Sequence, residues 1–357
     1  DGAGAPRGSL LPAAAAAFGR SECAVSPGSV LISRIYIVSS TTMKSLREYM
    51  EEKGFLETFH QGITQVTGSC ETIANIFILA EQEFLTLRQT VQLIMEGLLI
   101  SSQLPRMFTS GRSFRREVKN DGRHLNDFEL FEWEALDIDL AKLVEYNDEL
   151  IEYVIVNVLR SNILERERHR TLYYWLDLWK DPMSPRQITY HTAIRYLTDS
   201  GFTVSDSDLG KQRLIHVGDD LNAFAERELT LHYGIVQVTH YPEQIKFFNM
   251  ERSRDQKSHP GCVECVDMLL PYAGETIGGS AREYDYVILR DKLYTSSMLQ
   301  HLIALNRGRG GNAEEICSAF DGYLDLFKRE QYPRAGAGKG LGRFLQFLVA
   351  SDSIVPF

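Results

Sequence analysis

The sequence predicts an α+β fold in which an antiparallel sheet is flanked by helices. Two alternating segments within Met107–Leu136 surround the pair Asp121-Gly122, and Asp-Gly between such segments is a strong hairpin signal. Apolar residues recur with helical period over Asp139–Leu164, which predicts a long amphipathic helix. The other predicted strands and helices alternate irregularly, which favours an α+β domain over a doubly wound parallel sheet.

Composition excludes several classes of protein. The chain has 357 residues, of which 44% are hydrophobic and 24% charged, an ordinary globular composition. Its net charge of -10 argues against a general nucleic-acid coat protein or a binder of anionic membranes. Five scattered cysteines fit reduced thiols and a cytoplasmic protein better than a disulfide framework. No apolar run approaches the roughly 20 residues of a membrane-spanning helix.

The N-terminal part predicts a boundary near Met43. Residues 1–42 are expected to be a low-complexity leader without fixed structure, since the first 30 or so are rich in Gly, Ala, Pro and Ser. Val30–Ser40 is expected to be a strand or a linker. The first well-formed helix is predicted over Lys44–Gly54, where Gly54 is the stop signal. Residues 43–357 are therefore expected to form one folded domain.

Periodicity and turn residues predict the remaining elements. Strands are expected at Phe55–Val66, Ile235–His240 and Glu264–Leu270. Helices are expected at Gln92–Ser101, Thr189–Asp199, Asp219–His232, Thr295–Arg307, Ala313–Arg329 and Phe344–Ala350. The charge run Glu165–Arg170 is expected to be a solvated face or a helix end, Gly201–Gly218 a loop, and Pro271–Gly279 a glycine-rich turn.

The predicted hairpin carries charge where a strand should pack. Arg115 and Glu117 share a face of its first half, and Phe128, Glu132 and Glu134 share a face of its second half, because side chains two apart point the same way. An aromatic ring beside carboxylates and a guanidinium suits a pocket for a phosphate and an amine. The alternative is a surface hairpin whose rungs are salt bridges.

Several motifs, in order, resemble the class II aminoacyl-tRNA synthetases. The segments similar to motif 2 of the aspartyl, asparaginyl and lysyl subgroup are Phe114-Arg115-Arg116-Glu117, Arg123-His124-Leu125, Phe128 and Glu132, and Gly336–Arg343 is similar to motif 3. The segments similar to asparaginyl-tRNA synthetase in particular are Gln187–Tyr190, Gly218–Leu221, Tyr241–Phe247 and Val266–Glu283. The resemblance spans about Lys44–Phe357 and implies the antiparallel sheet of a class II catalytic domain.

The resemblance also implies a chemistry: ATP-dependent, AMP-forming activation of the carboxylate of asparagine, aspartate or an analogue. The implied catalytic residues are Arg115, at the α-phosphate, and Arg343, at the γ-phosphate. The implied ATP-binding residues are Arg115, Glu117, Arg123, His124, Phe128, Glu275 and Arg343. The implied Mg²⁺ ligands are Asp267 and Glu275, hard carboxylate oxygens for a hard cation. The implied amino-acid-binding residues are Glu71, Gln92, Glu132, Lys246 and Arg282.

Departures from the family pattern concentrate on the amino-acid side. Asn249 stands where the pattern has an aromatic residue, and Arg334-Ala335 stands where it has a histidine before the motif 3 glycines. The other departures are Phe59-His60 at the end of motif 1, Phe224-Ala225 before Glu226, and Gly342 in place of an acidic residue. The ATP-binding residues are intact, so ATP use is predicted more firmly than the identity of the amino acid.

Three functions are consistent with these observations. The leader is too short for the OB-fold that reads the anticodon in the family, so the expected acceptor of the activated amino acid is ammonia, an amine or another small molecule. The second function is an asparaginyl-tRNA ligase that transfers the adenylate to tRNA, and the third is a non-catalytic paralogue. The family implies a homodimer. A single Cys262-x-x-Cys265 is only a weak zinc signal.

Overall fold

The computed structural model describes residues 27–65, 75–79, 84–116, 125–205, 211–329 and 331–351. The helices are α1 (Pro27–Glu52), α2 (Gln92–Ser102), α3 (Leu140–Ser161), α4 (Arg166–Lys180), α5 (Tyr190–Asp199), α6 (Ala223–Tyr233), α7 (Tyr286–Thr295), α8 (Ser297–Arg307), α9 (Ala313–Ala319), α10 (Asp321–Phe327) and α11 (Leu341–Leu348). The strands are β1 (Leu56–Glu57), β2 (Ile63–Thr64), β3 (Thr86–Leu87), β4 (Arg106–Phe114), β5 (Asp127–Leu136), β6 (Gln187–Thr189), β7 (Thr203–Ser205), β8 (Gln212–Leu214), β9 (Val236–Thr239), β10 (Cys265–Leu270), β11 (Gly274–Ala281) and β12 (Arg334–Gly340).

An eight-stranded sheet forms the centre of the described chain, in the order β1-β4-β5-β12-β11-β10-β9-β6. The outermost pairs, β1–β4 and β6–β9, are parallel. Every pair between them is antiparallel. The predicted α+β class, with an antiparallel sheet flanked by helices, is therefore confirmed.

Strands β4 and β5 form the predicted hairpin, paired from Arg106 with Ala135 to Phe114 with Asp127. The turn residues Asp121-Gly122 lie outside the described part of the chain. Cross-strand salt bridges on the surface occur towards the turn, where Arg112 lies near Asp127 and Glu129. As a description of the whole hairpin the surface alternative is wrong, because both faces of β5 become buried towards its end.

One face of the sheet carries the main hydrophobic core. Phe131 and Trp133 of β5 pack there with residues of α1, α3 and α11. Helix α3 follows the predicted periodicity, and its buried side chains include Leu143, Leu150 and Val154. The Asp139 side chain caps α3 by accepting a hydrogen bond from the Lys142 N–H at 2.9 Å. The opposite face of the central strands is left for polar side chains.

Helix α1 corrects the predicted N-terminal organisation. It runs without interruption through Val30–Ser40, so the strand or linker predicted there is wrong. It also crosses the predicted boundary between residues 42 and 43. Its buried residues recur at helical spacing and face the core: Ile35, Val38, Thr42, Leu46 and Tyr49. The β-branched residues of this segment favour a strand locally, but tertiary packing of a helical face decides the structure.

One glycine-based prediction also differs from the structure. The predicted turn Pro271–Gly279 is short, because Tyr272 and Gly274 turn the chain at φ 69° and 71° and β11 begins at Gly274. Gly279 lies inside this strand, and the neighbouring strand β12 is too close to leave room for a side chain there. A Cβ there would lie 2.6 Å from the Ala337 Cβ and 2.7 Å from the Gly336 carbonyl oxygen. Glycine here marks a close approach of strands rather than a turn.

Other differences concern element lengths. The predicted strand Phe55–Val66 contains only the two-residue strands β1 and β2, and the predicted loop Gly201–Gly218 contains β7 and β8. The charge run Glu165–Arg170 lies at the start of α4, which agrees with the predicted helix end. The predicted helix Ala313–Arg329 is divided into α9 and α10 at Phe320, whose side chain is buried in the core beneath these helices. No described helix is both long and apolar enough to cross a membrane.

One lysine lies inside the hydrophobic core. Lys339 of β12 is fully buried, its Nζ lies 3.0 Å from the ring centre of Phe344, and within the described chain it has no hydrogen-bond partner. Burial holds its pKa well below the usual value. The neutral amine is therefore favoured in the fold, whereas the unfolded chain binds a proton below about pH 10.4.

Replacing this lysine by an apolar side chain of similar size is expected to stabilise the fold. Lys339→Met should raise the free energy of unfolding at pH 7 by about 2 kcal/mol, since an unpaired polar group leaves the core. The advantage should shrink as pH rises towards 10, because the wild-type chain then binds fewer protons on unfolding. Urea unfolding at pH 7 and 9.5 measures both effects, and an unchanged or lower stability at pH 7 would contradict the prediction.

Candidate active site

A floor of glycines lies on the polar face of the central strands. Glu132, Gly338, Gly278 and Asp267 are successive partners across β5, β12, β11 and β10. Directly paired residues point to the same face of a sheet. Two carboxylates therefore border a strip of backbone without side chains. This arrangement leaves room for a ligand directly against the sheet.

Two carboxylates share the space over Gly278. A Cβ at this position would lie 2.7 Å from Glu275 Oε1 and 3.6 Å from Asp267 Oδ1. The Glu275 N–H donates to Glu226 Oε2 at 3.2 Å, which helps to hold the strand end in place. Among the described residues no group of three or more His, Cys, Asp or Glu side chains is arranged to hold a metal. The two carboxylates suit a Mg²⁺ ion that keeps other ligands from phosphates and water.

Two cations border these carboxylates. Arg343, in the first turn of α11, donates from Nη1 to the Glu275 carbonyl oxygen at 2.7 Å and lies 3.9 Å from Glu275 Oε2. Lys246 Nζ lies 2.6 Å from Asp267 Oδ2 and 4.0 Å from the ring centre of Tyr241. The structure thus brings together Arg343, Glu275, Asp267 and Lys246. Lys246, implied as an amino-acid-binding residue, bonds to a carboxylate implied as a metal ligand.

The hairpin supplies a second group of the implied nucleotide-binding residues. The guanidinium carbon of Arg115 lies 5.4 Å from the ring centre of Phe128, a cation–π distance. The Arg115 N–H donates to the Asn126 carbonyl oxygen at 2.9 Å, which fixes the backbone at the end of β4. The residues of the prediction that lie outside the described chain are Glu71, Glu117, Arg123 and His124.

Glu132 and Gln92 meet over the other end of the glycine floor. A Cβ at Gly338 would lie 3.2 Å from Gln92 Nε2 and 3.9 Å from Glu132 Oε1. The Glu132 carboxylate accepts hydrogen bonds from the Thr90 hydroxyl and, at 3.2 Å, from the Val91 N–H. Burial raises the pKa of Glu132, while these hydrogen bonds act in the opposite direction. The residues before α2 therefore hold a buried carboxylate at the floor.

Arg282 belongs to a buried network of charges. Its Nη2 and Nε donate to the two oxygens of Glu134 at 2.5 and 3.4 Å, and its Nη1 donates to the Ser280 hydroxyl at 2.9 Å. Its Nε also lies 3.9 Å from Glu96 Oε1. Burial raises the pKa of Glu134 to about 7, against the opposing effect of Arg282. Arg282 is thus already paired with carboxylates of the chain.

Glu96 is a residue of this region that the sequence analysis missed. Arg334 Nη2 and Nε donate to Glu96 Oε2 at 2.5 and 3.0 Å, and the Tyr323 hydroxyl donates to the same oxygen at 3.1 Å. Asn249 Nδ2 donates to Glu96 Oε1 at 2.8 Å. The four-residue spacing from Gln92 places Glu96 on the same face of α2. That spacing is the sequence signal that could have identified it.

The cysteines of the Cys262-x-x-Cys265 motif are free thiols in buried positions. Cys265 is the first residue of β10, and burial raises its pKa to about 12. Burial also raises the pKa of Cys262. Both residues are therefore held as neutral thiols.

Sequence comparison identifies related ligases. The asparagine–tRNA ligase of Pyrococcus furiosus is 30% identical over 325 residues, which cover 90% of this chain and 66% of the relative. That of Thermococcus kodakarensis is 31% identical over 326 residues, which cover 90% of this chain and 67% of the relative. The chain thus spans about two thirds of the length of these relatives.

Structure comparison gives the same group. Asparaginyl-tRNA synthetase from Pyrococcus horikoshii, complexed with asparaginyl-adenylate, matches with a TM-score of 0.69 and 28% identity over 90% of this chain and 66% of that one. The asparaginyl-tRNA synthetase of Entamoeba histolytica matches with a TM-score of 0.71 over 90% of this chain and 65% of that one, at 24% identity, and shows the shared fold. The family described as tRNA synthetases class II (D, K and N) matches residues 30–356. With nearly its whole length matched by that family, the chain belongs to the class II tRNA synthetases of the D, K and N group.

Proposed function

We propose that this chain forms the catalytic domain of an asparagine–tRNA ligase. It would activate asparagine with ATP to give asparaginyl-adenylate and pyrophosphate, and would then transfer the asparaginyl group to tRNA. The observation that carries the proposal is the glycine floor bordered by Arg343, Glu275, Asp267 and Glu132, in a chain similar to asparagine–tRNA ligases over 90% of its length. These relatives are named for tRNA, so we propose tRNA as the acceptor in place of ammonia or an amine.

Charge placement supports the first step. The carboxylate of asparagine must approach the α-phosphate, which requires positive charge to neutralise two anions in line. Arg115 is proposed to contact the α-phosphate and the attacking carboxylate, and Arg343 the γ-phosphate. Adenine is proposed to bind beside Phe128, whose ring already lies 5.4 Å from the Arg115 guanidinium carbon. Bidentate hydrogen bonds from guanidinium groups suit phosphate and carboxylate oxygens.

Mg²⁺ fits the carboxylate pair over Gly278. Asp267 and Glu275 both direct an oxygen to the space above this residue. When bound, the ion would neutralise phosphate charge and fix the orientation of the phosphate chain. Lys246, at 2.6 Å from Asp267 Oδ2, would hold that carboxylate in place whether or not the ion is bound.

The other end of the floor suits the amino group of the substrate. The described hydrogen bonds to the buried Glu132 carboxylate come from the neutral Thr90 hydroxyl and Val91 N–H, and Arg88 and Arg282 attract the carboxylate electrostatically. A substrate ammonium would add a charged partner in direct contact with this buried carboxylate. Gln92 Nε2, above Gly338, would border the same position. We therefore propose Glu132, with Gln92 beside it, as the site of the α-ammonium.

Amino-acid-dependent ATP–pyrophosphate exchange tests the first step. We expect exchange with asparagine and none with unrelated amino acids. Esterification of radiolabelled asparagine to tRNA, with ammonia and simple amines as competing acceptors, tests the second step. Absence of exchange with every amino acid would reject the proposed function. Exchange followed by transfer only to ammonia or an amine would reject tRNA as the acceptor.

The chain is also proposed to act as a homodimer. Apolar side chains are exposed on α1 and on the segment that follows it: Tyr36 at 67%, Leu56 at 51% and Phe59 at 85% of their surface. Exposed apolar groups on successive segments are typical of protein interfaces. The cytoplasmic location stays a prediction.

Phe59→Glu is expected to weaken the dimer. A charge in the centre of an apolar interface must be desolvated, so the dissociation constant should rise by about 100-fold or more. Sedimentation velocity over a concentration series measures the change, with Tyr174→Glu, at another exposed aromatic residue on α4, as the control. A wild-type chain that stays monomeric at all concentrations, or a Phe59→Glu chain that dimerises as the wild type does, would contradict the assignment.

A further inference from the structure

Two departures from the family pattern meet at one buried carboxylate. Asn249 replaces an aromatic residue and donates to Glu96 Oε1 at 2.8 Å. Arg334 replaces a histidine and donates twice to Glu96 Oε2, at 2.5 and 3.0 Å. All three side chains are buried. The two positions, distant in sequence, are therefore joined through the same anion.

Hydrogen-bond donors of this chain occupy the acceptor positions of the Glu96 carboxylate. The Tyr323 hydroxyl is a third donor to Oε2, at 3.1 Å, beside the two from Arg334. Oε1 receives Asn249 and lies 3.9 Å from the Nε of Arg282. A carboxylate offers about four acceptor positions. Glu96 is therefore satisfied by the fold and has little capacity left for a substrate donor.

The amide of Asn249 has a defined orientation. Its Nδ2 must face Glu96, since the reverse orientation would place Oδ1 against a carboxylate oxygen. The Oδ1 atom is then directed away from Glu96 and is buried, and it has no hydrogen-bond partner within the described chain. A buried acceptor without a partner costs about 1–3 kcal/mol. A bound donor would remove that cost.

Asn249 lies next to Arg282, the residue implied to contact the substrate side chain. The Asn249 carbonyl oxygen accepts from the Glu283 N–H at 2.8 Å, and Met250 pairs with Arg282. In the network of Glu96, Glu134, Arg282 and Arg334, both guanidinium groups are already engaged by carboxyl groups of the chain. A substrate carboxylate would have to compete with these carboxyl groups for a positive charge, whereas a neutral amide would leave the pairs in place.

We propose that Asn249 is a specificity-determining residue and Arg334 its positioning residue. The Oδ1 atom of Asn249 accepts a hydrogen bond from the side-chain amide of asparagine, and Arg334 anchors the Glu96 carboxylate that orients Asn249. Aspartate, ionised at neutral pH, has no N–H to donate at that point. The inference rests on the proposed function, because it concerns the amino acid that the site accepts.

Binding of two stable adenylate analogues tests the inference without requiring catalysis. Sulfamoyl analogues of asparaginyl- and aspartyl-adenylate are titrated calorimetrically into the wild-type chain and into Asn249→Leu, which keeps the branched shape of the side chain but removes the amide. We expect the wild type to bind the asparaginyl analogue more tightly than the aspartyl analogue. In Asn249→Leu the ratio of the two dissociation constants should fall by about tenfold, the effect of losing one hydrogen bond. Arg334→Met should lower the preference too, and Arg334→Lys should retain more of it than Arg334→Met does.

Tyr323→Phe is the matched control. It removes another hydrogen bond to Glu96 but leaves both Asn249 and Arg334 in place, so the preference should stay within about twofold of the wild type. An unchanged preference in folded Asn249→Leu would overturn the inference, as would a wild type that prefers the aspartyl analogue or binds neither. If Asn249→Leu does not fold, Asn249→Ser takes its place with the same criteria.

Exchange activity separates this result from the proposed function. If the wild type prefers the asparaginyl analogue and Asn249→Leu loses that preference, but the wild type catalyses no exchange, the proposed function is rejected and the inference is supported. A wild type that exchanges with asparagine while Asn249→Leu keeps its preference would support the function and reject the inference.

Discussion

Replacing Arg343 by alanine is expected to lower asparagine-dependent ATP–pyrophosphate exchange by about 100- to 1,000-fold, the usual effect of losing one donor that stabilises transition-state charge. The guanidinium lies at the edge of the glycine floor, 3.9 Å from Glu275 Oε2, and is half-buried. Its loss should therefore act on catalysis far more than on folding.

Two further variants define this experiment. Arg343→Lys keeps the charge but not the planar fork, so it should recover only part of the activity. Arg160→Ala, which removes an exposed arginine from the end of α3, should leave exchange unchanged. Thermal unfolding of all three variants shows whether the fold is kept. Exchange by folded Arg343→Ala at more than a third of the wild-type rate would exclude Arg343 from the catalytic role.

Gly336→Ala is expected to have the largest effect on stability of any single methyl addition in the central strands. A Cβ at this position would overlap the Glu134 carboxylate, which lies directly above the backbone of β12. Glu134 cannot move away without breaking its buried ion pair with Arg282. Overpacking combined with a broken buried ion pair should lower the free energy of unfolding by about 3 kcal/mol or more.

The matched control is a glycine with open space around it. A Cβ at Gly322, in α10, would meet no atom within 4 Å. Gly322→Ala should therefore be neutral or stabilising by up to about 1 kcal/mol, since alanine favours helices. Urea unfolding measures both variants. Equal stabilities for Gly336→Ala and Gly322→Ala would show that Glu134 does not occupy the position described.

The sheet and its helices were predictable where one periodicity dominates over many residues. The hairpin of β4 and β5 and the long helix α3 have such patterns, and both predictions are confirmed. The segment Val30–Ser40 was predicted wrongly because its β-branched residues favour a strand, while its burial follows helical spacing. The glycines of Pro271–Gly279 predict a turn because glycine is a turn signal. Most of this segment instead lies in β11, where the close packing of neighbouring strands requires glycine.

The candidate site was predictable only in part, and for a different reason. The family resemblance implied Arg343, Glu275 and Asp267 as site residues, and the fold brings these three to one region. The resemblance could not show that Asn249 and Arg334 meet at Glu96, because this contact joins residues 85 to 238 positions apart. Considered separately, Asn249 and Arg334 are each only a position where the chain lacks the residue typical of the family. Their common partner becomes visible only when three separate elements pack together.

The glycine floor makes the central sheet unusually thin. On β12 the residues Gly336 and Gly338 face the site, while Ala335, Ala337 and Lys339 between and beside them face the hydrophobic core. A substrate on this floor is thus separated from the core by little more than one layer of backbone. Side chains that repack the core beneath β12 would shift the surface proposed to bind ATP and the amino acid. We therefore expect mutations in this part of the chain to change stability and catalysis together, so that selection for one property acts on both.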